Sequence, residues 1–205
     1  MEPSQILSGE ELKLLNVAYG KEREHFAKSR YLFRDWMAIM LMLEAGLRVG
    51  ECAKLKLNDV YLNYKPRDRI IVRAEYTKTG HERILPITAR IRQLLDAGAL
   101  WHYRLMGDYI GDPLLFSRSA DTPILVRSLQ KMIARRFNNY VGRPIHPHLL
   151  RHTFATLTLR YSDLKTTQYL LGHSSITSTN VYLHSDPLRA QTAVDKAFDG
   201  GDNPE

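Results

Sequence analysis

Residues Leu32 to Glu44 constrain the fold most, because they are apolar almost all the way round a helical wheel. Trp36, Met37, Ile39, Met40, Leu41, Met42 and Leu43 leave no polar stripe for water. Such a helix must be covered on several sides, so the rest of the chain has to build a layer around it. Gly46 signals its C-terminus, and Arg48 then emerges from a tight junction rather than from a long loop. The 205 residues suffice for one large domain or two small ones around a proper core.

The flanking segments fill in a mainly α-helical α+β chain. Ser8-Gly9-Glu10-Glu11 reads as a capping box opening a helix with Leu12, Leu14 and Leu15. A short helix around Gly50 to Leu55 gives way to three strand-like segments, Val60–Leu62, Arg69–Ala74 and Glu82–Pro86. The last two are joined by a hairpin loop, Thr77-Lys78-Thr79-Gly80-His81, and a small three-stranded antiparallel sheet is expected. A helix follows from about Thr88, and Gly107 to Pro113 is a turn-rich connection. Val126 to Tyr140 is amphipathic, with Leu129, Met132, Ile133 and Phe137 on the apolar face. Arg127, Lys131 and Arg135 recur on another face, which either follows a DNA backbone or is simply solvated. Pro147 opens a helix with Leu150, Phe154, Leu157 and Tyr161 on its core side, Asp163 to Leu171 forms another, Tyr182 lies in or beside a further one, and Asp186 to Phe198 forms the last. Gly200 to Glu205 should fray. Repeats and low-complexity linkers are absent from the sequence.

Composition narrows the class. A hydrophobic share of 44% and a charged share of 25% describe an ordinary globular protein. The net charge of +7 favours an acidic partner such as nucleic acid. One cysteine, Cys52, excludes an internal disulfide and a multi-cysteine zinc site, and sits in an apolar pattern as a small core residue. A reducing, cytoplasmic setting follows. No apolar run approaches the ~20 residues of a membrane span, and the polar N-terminus does not read as a secretory signal.

Chemistry concentrates late in the chain. His148 and Arg151 stand three residues apart, on one face of the helix that Pro147 starts. A guanidinium clamps two phosphate oxygens, and an imidazole donates or shuttles a proton. A downstream tyrosine supplies an oxygen nucleophile, so the combination points to phosphoryl transfer on a nucleic-acid backbone. A zinc site at His146, His148 and His152 is the competing idea. It lacks a nearby carboxylate or thiol and would set Arg151 against the ion, so no metal is expected.

Five motifs now stand in order: Gly46-Leu47-Arg48-Val49-Gly50-Glu51, Thr77-Lys78-Thr79-Gly80, His148-Leu149-Leu150-Arg151-His152-Thr153, Leu171-Gly172-His173-Ser174-Ser175 and Val181-Tyr182-Leu183-His184. Together they resemble the tyrosine recombinase (phage integrase) family of site-specific DNA recombinases, from Ile6 to about Asp186. The resemblance implies that fold's helical catalytic domain with its small sheet, and it implies roles. Tyr182 would attack the scissile phosphate and become a 3′-phosphotyrosine. Arg48 and Arg151 would hold the non-bridging oxygens, His173 would add a donor, and Lys78 would protonate the departing 5′ oxygen. His148 would act as acid/base partner near the tyrosine, and Glu51 would support the arginines and the histidine. A tyrosine of pKa ~10 needs a base or a cationic surrounding to attack at neutral pH, and these residues supply one.

Each position also has a plainer reading. Arg48 and Glu51 make an ordinary ion pair, Lys78 a solvated turn, His173 a helix-end cap, and Tyr182 is one of 11 tyrosines. Leu183 stands where the family more often has threonine, and Gly50 where serine or alanine is usual. The resemblance further implies double-stranded DNA as partner, a monomer that becomes a homotetramer on paired sites, and no cofactor. Residues 1–186 would form the catalytic domain. Residues 187–205 would be a terminal helix and tail docking on a neighbouring protomer, with packing in cis as the alternative. The family's amino-terminal core-binding domain is expected to be absent. A type IB topoisomerase, or an inactive DNA-binding accessory protein, are the alternative functions.

Overall fold

A computed structural model of the chain describes residues 6–63, 65–106, 112–119, 121–172 and 187–198. Its centre is helix α2 (Arg30–Leu43), in which every side chain from Trp36 to Leu43 is buried. Helices α3 (Val49–Lys54), α4 (Ala89–Met106), α5 (Val126–Val141) and α6 (Pro147–Tyr161) pack around it, as its all-round apolar character demands. Helix α1 (Gly9–Glu22) lies on α5, and α7 (Leu164–Leu171) and α8 (Pro187–Phe198) lie on α6.

Local chemistry sets the helix ends. Ser8 Oγ accepts from the Glu11 N–H at 3.1 Å, and Glu11 returns a bond to the Ser8 N–H at 2.8 Å, so the expected capping box forms. Helix α2 ends at Leu43, slightly before Gly46. Gly46 takes a left-handed φ of 65°, and the Leu47 N–H reaches back to the Leu41 carbonyl at 3.0 Å. Pro147 is the first residue of α6, and Gly142 and Gly172 close α5 and α7 with left-handed backbones. Leu150, Phe154 and Leu157 face the core as expected, whereas Tyr161, the last residue of α6, is 40% exposed.

The strands depart from the expected three-stranded sheet. Strand β1 (Tyr61–Leu62) pairs with β2 (Lys65–Pro66), and β3 (Arg69–Val72) pairs with β4 (Arg83–Pro86), giving two separate antiparallel hairpins. Asn63 adopts a left-handed φ of 49° and turns β1 straight back onto the residues that follow it. The β3–β4 connection is also longer than the expected loop, since Ala74–Tyr76 coils into a 3-10 turn instead of extending β3.

Helix α8 packs in cis. Ala190, Ala193, Val194 and Ala197 are buried, and the Phe198 ring stacks on Phe154 with centroids 5.9 Å apart. Cys52 is fully buried, and burial pushes its thiol pKa well up, as befits a small core residue. No described helix is long and apolar enough to cross a membrane.

Candidate active site

Three element ends meet around Glu51 and its arginines: the N-terminus of α3, the C-terminus of α7 and the start of β4. Arg48 is the N-cap residue of α3, and its backbone N–H donates to Glu51 Oε2 at 2.8 Å. Its side chain also reaches Glu51, with Nη1 3.1 Å from Oε1, while remaining 28% exposed. Arg83, almost fully buried, grips the same carboxylate from below with Nη1–Oε1 at 3.1 Å and Nη2–Oε2 at 2.7 Å. Burial by itself would raise the Glu51 pKa. The Arg83 hydrogen bonds and charge, the Arg48 N–H and the Arg151 charge outweigh it and hold the carboxyl below its usual range.

The last carbonyls of α7 carry the partial negative charge of a helix C-terminus, and cations gather there. Arg83 Nε donates to the Leu170 carbonyl at 3.1 Å. Arg151 Nη2 donates to the Leu171 carbonyl at 2.5 Å and Nη1 to the Gly46 carbonyl, while Arg48 Nη1 lies 3.5 Å from the Leu171 oxygen. Arg48 and Arg151, distant in sequence, therefore meet at one oxygen. Burial, and the charges of Arg48 and Arg83 against the counteracting Glu51, push the Arg151 pKa down to about 9. It stays cationic at neutral pH, beside other cations, in a place that favours an anion.

His148 is exposed in the first turn of α6, one turn before Arg151, so the expected shared face forms. Lys78 is exposed in the β3–β4 connection, next to the 3-10 turn that packs on α3. Arg127, Lys131 and Arg135 are all exposed along α5, which packs on α1, α2 and α3. His173 and Tyr182 lie outside the described residues. Gly172, the residue before His173, has φ of 62°, and a side chain there would sit 2.9 Å from Arg83 Nη1.

Arg83 is the member that the sequence reading missed. Its signal was available: in Arg83-Ile84-Leu85, alternation places Arg83 on the inward side with Leu85, while Ile84 is 42% exposed. An arginine in the buried phase of a strand calls for a buried carboxylate, and Glu51 is that partner.

A profile of the phage integrase family matches residues 6–189. The chain belongs to that family. Tyrosine recombinase XerC of Listeria innocua is 31% identical over 184 residues, which cover 85% of this chain and 59% of XerC. Tyrosine recombinase XerA of Saccharolobus solfataricus is 35% identical over 152 residues, 74% of this chain and 46% of XerA. Among solved structures, a XerA recombinase is 26% identical with a TM-score of 0.61, covering 100% of this chain and 67% of that one. The integrase of mycobacterium phage Brujita, at 21% identity, shares the fold with a TM-score of 0.67 over 96% of this chain and 59% of the integrase. The chain spans somewhat more than half the length of the XerC relatives that it matches. The mainly helical fold with small antiparallel sheets is that of tyrosine recombinase catalytic domains.

Proposed function

We propose that this chain is a site-specific DNA recombinase or integrase that cuts and rejoins strands through a 3′-phosphotyrosine at Tyr182. The convergence of Arg48 and Arg151 on the Leu171 carbonyl, beside the Glu51 carboxylate that Arg48 and Arg83 bind, carries this reading. Two guanidinium forks fixed by backbone and carboxylate contacts suit the equatorial oxygens of a pentacoordinate phosphate, whose growing charge they stabilise. A XerH recombinase in a post-cleavage complex with its difH substrate, 26% identical to this chain with a TM-score of 0.59, supports double-stranded DNA as the partner.

In the reaction the Tyr182 oxygen bonds to phosphorus as the P–O5′ bond breaks. His148 takes the phenol proton and Lys78 gives one to the departing O5′. His173 adds a donor to the same phosphate. The phosphotyrosyl bond keeps the energy of the broken diester, so rejoining needs no cofactor. Residues up to 186 carry this chemistry, the exposed Arg127, Lys131 and Arg135 follow the backbone, and four protomers act together on paired sites.

Nicked suicide substrates tiled from the DNA flanking the gene test the reading. Wild type should leave a covalent adduct on a denaturing gel, and Tyr182→Phe should bind the same duplex without one. An adduct that survives in Tyr182→Phe, or binding without any wild-type adduct, would overturn it in favour of another nucleophile or of an accessory DNA-binding role.

A further inference from the structure

The connection from β3 to β4 covers residues 73–82, and Lys78 sits in the middle of it. An unanchored loop of that length would let a lysine tip wander, at little cost in closure entropy. This one is pinned two residues before the lysine. Tyr76 is buried, and its phenol donates to Asp59 Oδ2 at 2.9 Å. Asp59, fully buried, also accepts from Arg73 Nε at 2.6 Å and from the Lys56 N–H at 2.8 Å. One carboxylate thus grips both sides of the 3-10 turn Ala74–Tyr76.

A second tie leads to the arginine site. Lys54, the last residue of α3, donates from Nζ to the Glu75 carbonyl at 3.4 Å, and α3 is the helix that begins at Arg48 and carries Glu51. Past the turn, Thr77 Oγ1 lies 3.0 Å from the Ala74 carbonyl and 3.3 Å from that of His81, which narrows the mouth of the loop. Burial, then the Asp59 hydrogen bond and charge, push the Tyr76 phenol pKa far above its ordinary value, so it stays a donor at any working pH.

We propose that Asp59 and Tyr76 are positioning residues for Lys78, holding the loop against α3 so that the lysine meets the leaving 5′ oxygen at the phosphate bound by Arg48 and Arg151. This inference rests on the phosphoryl-transfer reading above. In that step the P–O5′ electron pair stays on O5′ and the proton comes from the Lys78 ammonium, which is left as a neutral amine. A sulfur in place of O5′ leaves as a thiolate and needs no proton. It therefore separates a misplaced acid from a damaged fold.

The experiment measures adduct formation by the full chain on nicked duplexes from the DNA flanking the gene, made with either oxygen or sulfur at the scissile 5′ position. Tyr76→Phe and Asp59→Asn are compared with Lys78→Ala. On oxygen, Tyr76→Phe should lose roughly tenfold and Asp59→Asn more, approaching the loss of about a hundredfold or greater in Lys78→Ala. On sulfur all three should lie within about twofold of wild type. Thermal melting checks the fold, and if Asp59→Asn melts early, Tyr76→Phe carries the test. Equal losses on both substrates would reduce the lock to a structural support, and no loss on oxygen would remove its role; either overturns the inference. A Lys78→Ala defect that sulfur does not rescue would instead sink the assignment of Lys78 as the acid, and the absence of any wild-type adduct would sink the enzyme reading itself.

Discussion

Glu51 concentrates the residue-scale physics of the site. It is nearly inaccessible to water yet charged, because Arg83 clamps both its oxygens and Arg48 adds a backbone and a side-chain bond. Breaking such a pair from one side strands a buried charge, so Arg83→Met should lower stability by about 3 kcal/mol in denaturant unfolding. The pH dependence has a definite sign. A carboxyl whose folded pKa lies below its unfolded value stabilises the fold above about pH 4.3, and that contribution fades as pH falls through the folded pKa. The melting-temperature gap between wild type and Glu51→Gln should therefore be steady near neutrality and shrink in acid below about pH 4. A gap independent of pH would remove ionic pairing as its cause. The Arg48–Glu51 half of this cluster was legible in the sequence, since an N-cap residue and a carboxylate three positions later meet on any helix. Alternation in β4 signalled that Arg83 points inward, but its pairing with Glu51 was not legible, because only folding brings together residues so far apart along the chain.

Elements depend on a few backbone positions whose costs can be ranked. Gly46 and Gly80 both have left-handed φ, of 65° and 68°. Around Gly80 there is open space, whereas a side chain at Gly46 would overlap the Phe154 ring of α6. Gly80→Ala should cost about 1 kcal/mol of backbone strain and no more. Gly46→Ala should add several times that cost and lower the melting temperature far more, because Phe154 is fully buried and has no room to yield. Similar losses for the two would place the cost in the backbone rather than in the close approach of the α2–α3 junction to α6. The helices were readable from periodicity, caps and Pro147, because those signals act within a turn or so of chain. The strands were less so: nothing in Lys65-Pro66 alternates, and Ala74, read as the end of a strand, instead begins a 3-10 turn whose Tyr76 donates to Asp59.

Over the whole molecule, the basic composition divides into two populations. Arg34 and Arg136 pair with buried Asp35, Arg73 with Asp59, Arg83 with Glu51 and Arg90 with Glu44. These guanidiniums are committed to buried carboxylates, while Arg127, Lys131 and Arg135 stand exposed along α5. If the exposed row follows a DNA backbone, each of its alanine variants should reduce the slope of log affinity against log salt by about 1, as read by fluorescence anisotropy on a duplex. Arg136→Ala, one position from Arg135, should instead lower thermal stability and leave that slope unchanged. Unaltered slopes across the exposed row would mark it as a solvated face.

Sequence by itself determined the described helical elements, the buried α2, the spacing of His148 and Arg151 one turn apart on α6, and the five motifs that mark the family. Each is written in residues close along the chain, where helical geometry and capping settle the outcome. Tertiary structure decided that two hairpins replace one sheet, that α8 lies on α6, and that Arg83, Arg48 and Arg151 crowd one carboxylate and one helix end. The first follows from the turn at Asn63, the second from apolar packing against α6, and the third from buried charges held by backbone carbonyls of distant segments, a balance that exists only once α2 is covered and water is gone.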